Sequence, residues 1–306
     1  MEHQRHYNII GPGAVGCYMA FSLHRAGFPV TLVDYRADRA QRLSQQGIQL
    51  TGEMQEDVCL NIPIFSSLEN LKPGSISFVC IKSYSATSFM SENSTQISRL
   101  GRMVFVQNGI SWIDWCSSMP HVCAGGSVAY FGVSLENEGA VRLAGNGPLY
   151  IGPISPDHEE LFSNAARDLN AAGINAEAVS DIRERGWEKL LVNLGINPLT
   201  VLYSCRNGEL LDGSKREQTL EAVVSEGVHI ARAAGLDFDI KTIIEKVKDT
   251  CRITARNISS MLQDVQSQKQ TELESITGSV LNKAEQYGID IPENRNVYSR
   301  VRNMTG

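Results

Sequence analysis

The chain has 306 residues, 42% of them hydrophobic and 20% charged, with a formal net charge of −6. That length exceeds one ordinary hydrophobic core and implies two domains, and the composition excludes a disordered, collagenous or disulfide-framework chain. An acidic balance without a long basic run excludes a nucleic-acid groove, so an anionic ligand has to be held by local donors.

The start, Met1 to Tyr7, is polar and carries no apolar signal core. No apolar stretch approaches the roughly 20 residues of a membrane span, so no membrane partner is expected. The 7 cysteines are scattered and form no C-x-x-C pair, which predicts reduced thiols in a cytoplasmic protein. The 6 histidines show no metal-ligand spacing, and no metal is expected.

The first part of the chain alternates strand and helix. Tyr7 to Ile10 is a short apolar run that ends in Gly11-Pro12-Gly13. Val15, Met19, Leu23 and Ala26 then follow at helical spacing until Gly27. Val30 to Val33 is a second strand ending in Asp34, and Arg36 to Gln46 a second helix stopped by Gly47. Ile76 to Ile81 and Met103 to Val106 read as further buried strands. This rhythm predicts a parallel sheet with right-handed crossovers. Ile48 to Phe65 alternates imperfectly and predicts extra strands. Val128 to Ile151 predicts antiparallel strands that finish the sheet or cover an edge. A helix over Glu159 to Asn170 and a strand over Ala176 to Val179 complete this domain. From Asp181 to Asn303 the pattern is helical, with breaks expected at Asn197-Pro198, Asn207-Gly208, Gly235 to Asp239 and Gly288 to Pro292. The boundary is placed near Ser180, giving domains 1–180 and 181–306.

Gly11-Pro12-Gly13-Ala14-Val15-Gly16 is G-x-G-x-x-G between a strand and a helix, the context that gives the motif its meaning. Gly11 suits a tight turn, Gly13 close backbone approach and Gly16 close helix packing. The helix start then offers free N–H groups and a positive dipole end to a pyrophosphate. The pattern predicts a Rossmann domain that binds a dinucleotide. Asp34 would accept hydrogen bonds from a free ribose hydroxyl, as in NAD(H) binding. Arg36, two residues on, would hold the 2′-phosphate of NADP(H), although alone it reads as a solvated charge at a helix start. Tyr35 is placed to stack on adenine.

In the second domain Lys189, Asn193 and Asn197 recur every four residues and share one stripe of a largely apolar helix. A polar stripe on a buried helix needs partners, and one lysine with two amides suits a carboxylate ligand.

The chain resembles the ketopantoate reductase family (2-dehydropantoate 2-reductases). The resemblance is carried by Gly11–Gly16, Ile81-Lys82, Gln107-Asn108-Gly109, Trp187–Thr200, Asn207–Leu210, Asn257–Asp264, Thr271-Glu272 and Gly288–Asn294, and covers nearly the whole chain. It implies a C-terminal all-α domain like that of 6-phosphogluconate dehydrogenase. It also implies NADPH-dependent reduction of ketopantoate to pantoate, on the way to pantothenate and coenzyme A. Lys189 is then the catalytic lysine and Glu272 the catalytic-site carboxylate. Asn108, Asn193, Asn197, Asn257 and Ser260 bind substrate, with Lys82 and Asn108 near the nicotinamide end of the cofactor. Two positions depart from the family pattern. Ser85 stands where a glutamine is common, and Asp34 is unlike a phosphate-binding strand end.

The expected partner is a small 2-keto acid, with the chain acting as a monomer or homodimer. Two other readings stay open: an NAD-dependent dehydrogenase of another branched 2-hydroxy acid, and a non-catalytic dinucleotide sensor. Ser260 and Glu272 lie 12 residues apart, roughly 18 Å and 120° on a straight helix. They share one small substrate only if the Gln-rich stretch Gln263 to Thr271 bends or breaks.

Overall fold

The computed structural model describes residues 5–51, 58–213 and 215–305, so the polar start at Met1 and the middle of the Ile48–Phe65 segment fall partly outside the described residues. The chain forms two units. One comprises Met1–Gln107 and Trp112–Arg183, the other Asn108–Ser111 and Glu184–Gly306.

In the first unit, β1 (Tyr7–Ile10) leads into α1 (Ala14–Arg25), and β2 (Val30–Val33) into α2 (Ala37–Gln46). Both strands are buried along their whole length, which is why they read as continuous apolar runs. Then come β3 (Ile48–Thr51), β4 (Cys59–Leu60), β5 (Ile64–Phe65), β6 (Ile76–Val79), α3 (Ser83–Glu92), α4 (Ser94–Leu100) and β7 (Arg102–Phe105). After α5 (Ser111–Ser117) follow β8 (Cys123–Ala129), β9 (Gly132–Asn137), β10 (Ala140–Gly145), β11 (Leu149–Pro153), α6 (Glu159–Ala171) and β12 (Ala176–Ala178).

The main sheet has the order β12-β11-β8-β7-β6-β1-β2-β5. Every pairing in it is parallel except β8 with β11. Alternate residues feed two cores. Ile9, Leu32 and Phe78 enter one, while Ile10, Val33 and Val79 enter the other. The strand order reverses at β1, with β2 on one side and β6 on the other. That reversal opens a crevice at the carboxyl ends of β1 and β6. The extra strands divide between two sheets: β8 and β11 extend the main one, while the β9–β10 hairpin pairs with β3 in a second sheet, β4-β3-β10-β9, packed against α1.

The second unit is helical: α7 (Ile182–Tyr203, of which the first two residues belong to the first unit), α8 (Lys215–Ala233), α9 (Ile240–Ile253), α10 (Ser260–Gln266), α11 (Ser279–Tyr287) and α12 (Pro292–Thr305). Its core includes Leu191 and Leu194 from α7, Val224 and Val228 from α8, Val247 from α9 and Val297 from α12. Asn207–Leu211 forms a short 3₁₀ turn at the expected break. The break expected at Asn197-Pro198 does not occur, because α7 runs through Pro198 to Tyr203. An internal proline withdraws one helical donor and costs about 3 kcal/mol. Leu199, Thr200 and Val201, all at most 1% exposed, offset that by packing the last turn inside the bundle. Among the described residues no helix is long and apolar enough to cross a membrane.

Candidate active site

The crevice of the first unit is a cavity of about 530 Å³ lined by Gly11, Pro12, Gly13, Asp34, Arg36 and Arg39, and by Lys82 and Ser85 of the α3 segment. The three motif glycines have different reasons to be there. Gly11 sits at φ +98°, and a Cβ on it would stand 2.7 Å from the Ile81 side chain. A Cβ on Gly16 would stand 2.0 Å from the Gly11 carbonyl oxygen. The protein's own packing therefore requires both. At Gly13 a Cβ would meet only the Cys80 carbonyl, at 3.8 Å, an ordinary contact. What Gly13 leaves open is room for something arriving from the cavity. It also caps α1 without any side-chain hydrogen bond, so Ala14 and Val15 open a helix whose first N–H groups face no side-chain acceptor at the cap. We expect Gly16→Ala to lower Tm by several degrees and Gly13→Ala to leave Tm within about 2 °C while weakening dinucleotide binding about tenfold or more. Thermal melts and fluorescence titration check this; equal Tm losses would show that Gly13 is structural too.

At the end of β2, Asp34 is 2% exposed and accepts the Arg36 N–H at 3.1 Å. Arg36 lies exposed with its guanidinium 5.9 Å from the centre of the Tyr35 ring. Arg39, which the sequence does not single out, is buried, and it donates to the Pro12 carbonyl of the glycine loop. Lys82 precedes the first turn of α3 without a side-chain capping bond and is exposed on the cavity wall.

The second unit brings Lys189, Asn108 and Glu272 together. Lys189 Nζ donates to Asn108 Oδ1 at 3.0 Å, and Asn108 Nδ2 donates to Glu272 Oε2 at 2.7 Å. The amide orientation is dictated by its neighbours, since an ammonium only donates and a carboxylate only accepts. Asn108 is held there by the residue after it. Gly109, at φ +82°, lies so close to the backbone of Ser275 that a Cβ would stand 2.3 Å from that carbonyl oxygen. Ser275 belongs to a π-helical turn, Glu274–Gly278, that follows Glu272 and continues into α11. Burial pushes the Lys189 ammonium down to about 8, and the negative charge of Glu272 acts in the opposite direction.

Asn193 and Asn197 continue the α7 stripe, half-buried and buried. Asn257 and Ser260 are exposed at the entry to α10. A polar link ties that entry to α7. Thr200 Oγ1 donates to the Asn197 carbonyl at 2.9 Å, Ser259 Oγ lies 2.6 Å from Thr200 Oγ1, and Ser259 Oγ caps α10 by accepting Leu262 N–H. One hydroxyl proton serves each bond, so the Ser259 hydroxyl donates to Thr200. Sequence reasoning missed Ser259, whose pairing with Thr200, 59 residues away, leaves no local signal. After α10 the chain does break within the Gln-rich stretch: the helix ends at Gln266, and Gln268 takes φ +54°. Among the described residues, no group of three or more His, Cys, Asp or Glu is arranged to hold a metal.

Residues 7–156 match the sequence profile described as ketopantoate reductase PanE/ApbA, and residues 181–305 match the profile of the C-terminal part of the same family. The 2-dehydropantoate 2-reductase of Archaeoglobus fulgidus is 31% identical over 296 residues, 97% of this chain and 96% of that one. The chain belongs to the ketopantoate reductase family. It is accordingly an NAD(P)-dependent oxidoreductase acting on CH–OH groups. A PanE/ApbA family ketopantoate reductase from Ralstonia eutropha JMP134 matches this family member with a TM-score of 0.82 at 27% identity, over 98% of both chains. D-mandelate dehydrogenase in complex with NADH and anilino(oxo)acetate shares the fold, with a TM-score of 0.84 at 22% identity over 98% of both chains.

Proposed function

We propose that this protein catalyses the NADPH-dependent reduction of 2-dehydropantoate to pantoate, a step toward pantothenate and coenzyme A, as a cytoplasmic monomer or homodimer. The observation that carries the reading is the hydrogen-bonded set Lys189–Asn108–Glu272, which pairs a cation of lowered basicity with a carboxylate through one amide. The cavity of the first unit suits a dinucleotide: among the described residues only the Cys80 carbonyl comes within 4 Å of a Cβ placed on Gly13, and the start of α1 has no side-chain cap. Gly11 to Gly16 would hold the pyrophosphate there. Asp34, Arg36 and Lys82 would line the remainder of the dinucleotide, and Asn108 would stand near the nicotinamide end. Bound NADPH would supply the hydride that reduces the C2 carbonyl.

The chain's own residues supply the rest. The Lys189 ammonium stabilises the negative charge growing on the carbonyl oxygen, and donates the proton that completes the alcohol. Asn193, Asn197, Asn257 and Ser260 hold the substrate with neutral donors, Asn108 takes part in that binding, and Glu272 accepts a hydrogen bond from the substrate hydroxyl while keeping Lys189 charged. A steady-state assay with both nicotinamide cofactors and a panel of 2-keto acids tests the proposal. We expect the highest kcat/KM with NADPH and 2-dehydropantoate. A higher value for an unhydroxylated branched keto acid would replace the substrate, and tight dinucleotide binding without turnover of any 2-keto acid would defeat the proposed reaction.

A further inference from the structure

A carboxylate at the end of the second strand ordinarily binds a free ribose hydroxyl and repels a 2′-phosphate. Asp34 occupies that place, yet its charge is already engaged. Oδ1 accepts the Arg36 N–H, and Oδ2 lies 3.2 Å from Arg39 Nη1, an ionic contact without hydrogen-bond geometry. The Arg39 side chain is only 11% exposed, so solvent and salt screen the pair weakly. Its guanidinium is fixed by a second, independent bond to the Pro12 carbonyl. A competing acid among the described residues is Glu138, 3.9 Å from Arg39 Nε. Glu138 already takes two bonds from Arg42, at 2.8 and 2.9 Å, which leaves the Arg39 charge to Asp34. Arg36 then stands at the cavity wall with its own charge, 3.8 Å from Asp34 Oδ1.

We propose that Arg39 sets cofactor choice by masking Asp34, so that the acidic end of β2 tolerates the 2′-phosphate of NADPH with Arg36 beside it. This rests on the dinucleotide reading above. Arg39 is a positioning residue here: it acts through Asp34, not on the phosphate.

The test is the dissociation constant of NADPH and of NADH, each titrated by fluorescence without substrate. The wild-type protein should bind NADPH the more tightly. Arg39→Gln unmasks the carboxylate and should lower the NADPH preference by about tenfold or more. Asp34→Asn combined with Arg39→Gln removes both charges and should return the preference to within about threefold of wild type. Asp34→Asn alone leaves the Arg39 cation uncompensated and should raise the NADPH preference by about threefold or more, opposite in sign to Arg39→Gln. Comparing Asp34→Asn with the double variant carries the test if Arg39→Gln fails to fold, because removing the Arg39 charge in that background should bring the raised preference back down. An unchanged preference in folded Arg39→Gln, no recovery in the double variant, or an unchanged or lowered preference in Asp34→Asn would each overturn the proposal. If wild type bound neither dinucleotide, the reading beneath would fall with it. If both bound and only the variants behaved otherwise, the masking role alone would fall.

Discussion

Replacing Lys189 by alanine should lower kcat by about 10²–10⁴-fold while leaving the NADPH dissociation constant near wild type. The lysine sits in the helical unit, hydrogen-bonded to Asn108, and no part of it lines the cavity of the first unit. Loss of the side chain removes both the cation that meets the growing oxyanion and the proton donor. These act only when charge develops, so they appear in kcat and not in ground-state binding. Stopped-flow hydride transfer and equilibrium titration separate the two quantities. A fall in kcat of less than about threefold would remove Lys189 from the chemistry. The same residue sets a pH limb. With its ammonium at about 8, the protonated donor is depleted as pH rises through that value, so the reduction rate should fall on the alkaline side.

Glu272→Gln should produce two separable changes. The carboxylate opposes the effect of burial on Lys189. Without it the ammonium loses its proton at lower pH, and the alkaline limb of the rate profile should move to lower pH. The second change concerns selectivity. A carboxylate that binds a substrate hydroxyl is left unpaired by an analogue lacking that group, and sites of this kind discriminate by about 10⁴ or more. The neutral amide should forfeit much of that, narrowing the gap in kcat/KM between 2-dehydropantoate and its unhydroxylated analogue. The amide oxygen of the new side chain can still accept from Asn108 Nδ2 with Asn108 unturned, so the protein should fold. An unmoved limb together with unchanged selectivity would leave Glu272 a structural partner of Asn108 only.

How far the sequence reads depends on how local the decisive contacts are. β1 and β2 are legible to the residue because burial on both faces writes itself as an unbroken apolar run with glycines beyond. The polar stripe of α7 is legible because it obeys one helical period. The passage of α7 through Pro198 is not, since the local penalty is overridden by packing with residues far along the chain. Arg39 shows the same limit. Its neighbours in sequence make it a surface charge of α2, while its partners are a strand-end carboxylate and a loop carbonyl 27 residues earlier. Lys189, Asn108 and Glu272 are individually marked by family resemblance, but the chain of two hydrogen bonds between them depends on Gly109 seating against Ser275, which no periodicity encodes.

The four-residue excursion Asn108–Ser111 limits how modular this chain can be. A fragment cut once, at the start of the helical part, keeps Lys189 and Glu272 and discards the amide that links them, along with the glycine that docks on the π-helical turn. The same holds for chimaeras that graft the helical part of one relative onto the sheet of another: the graft inherits its Asn108 from the other parent. Recombination between such proteins is therefore tolerated to the extent that this short loop and the Ser275 backbone match. Two stretches distant in sequence have to be exchanged as one.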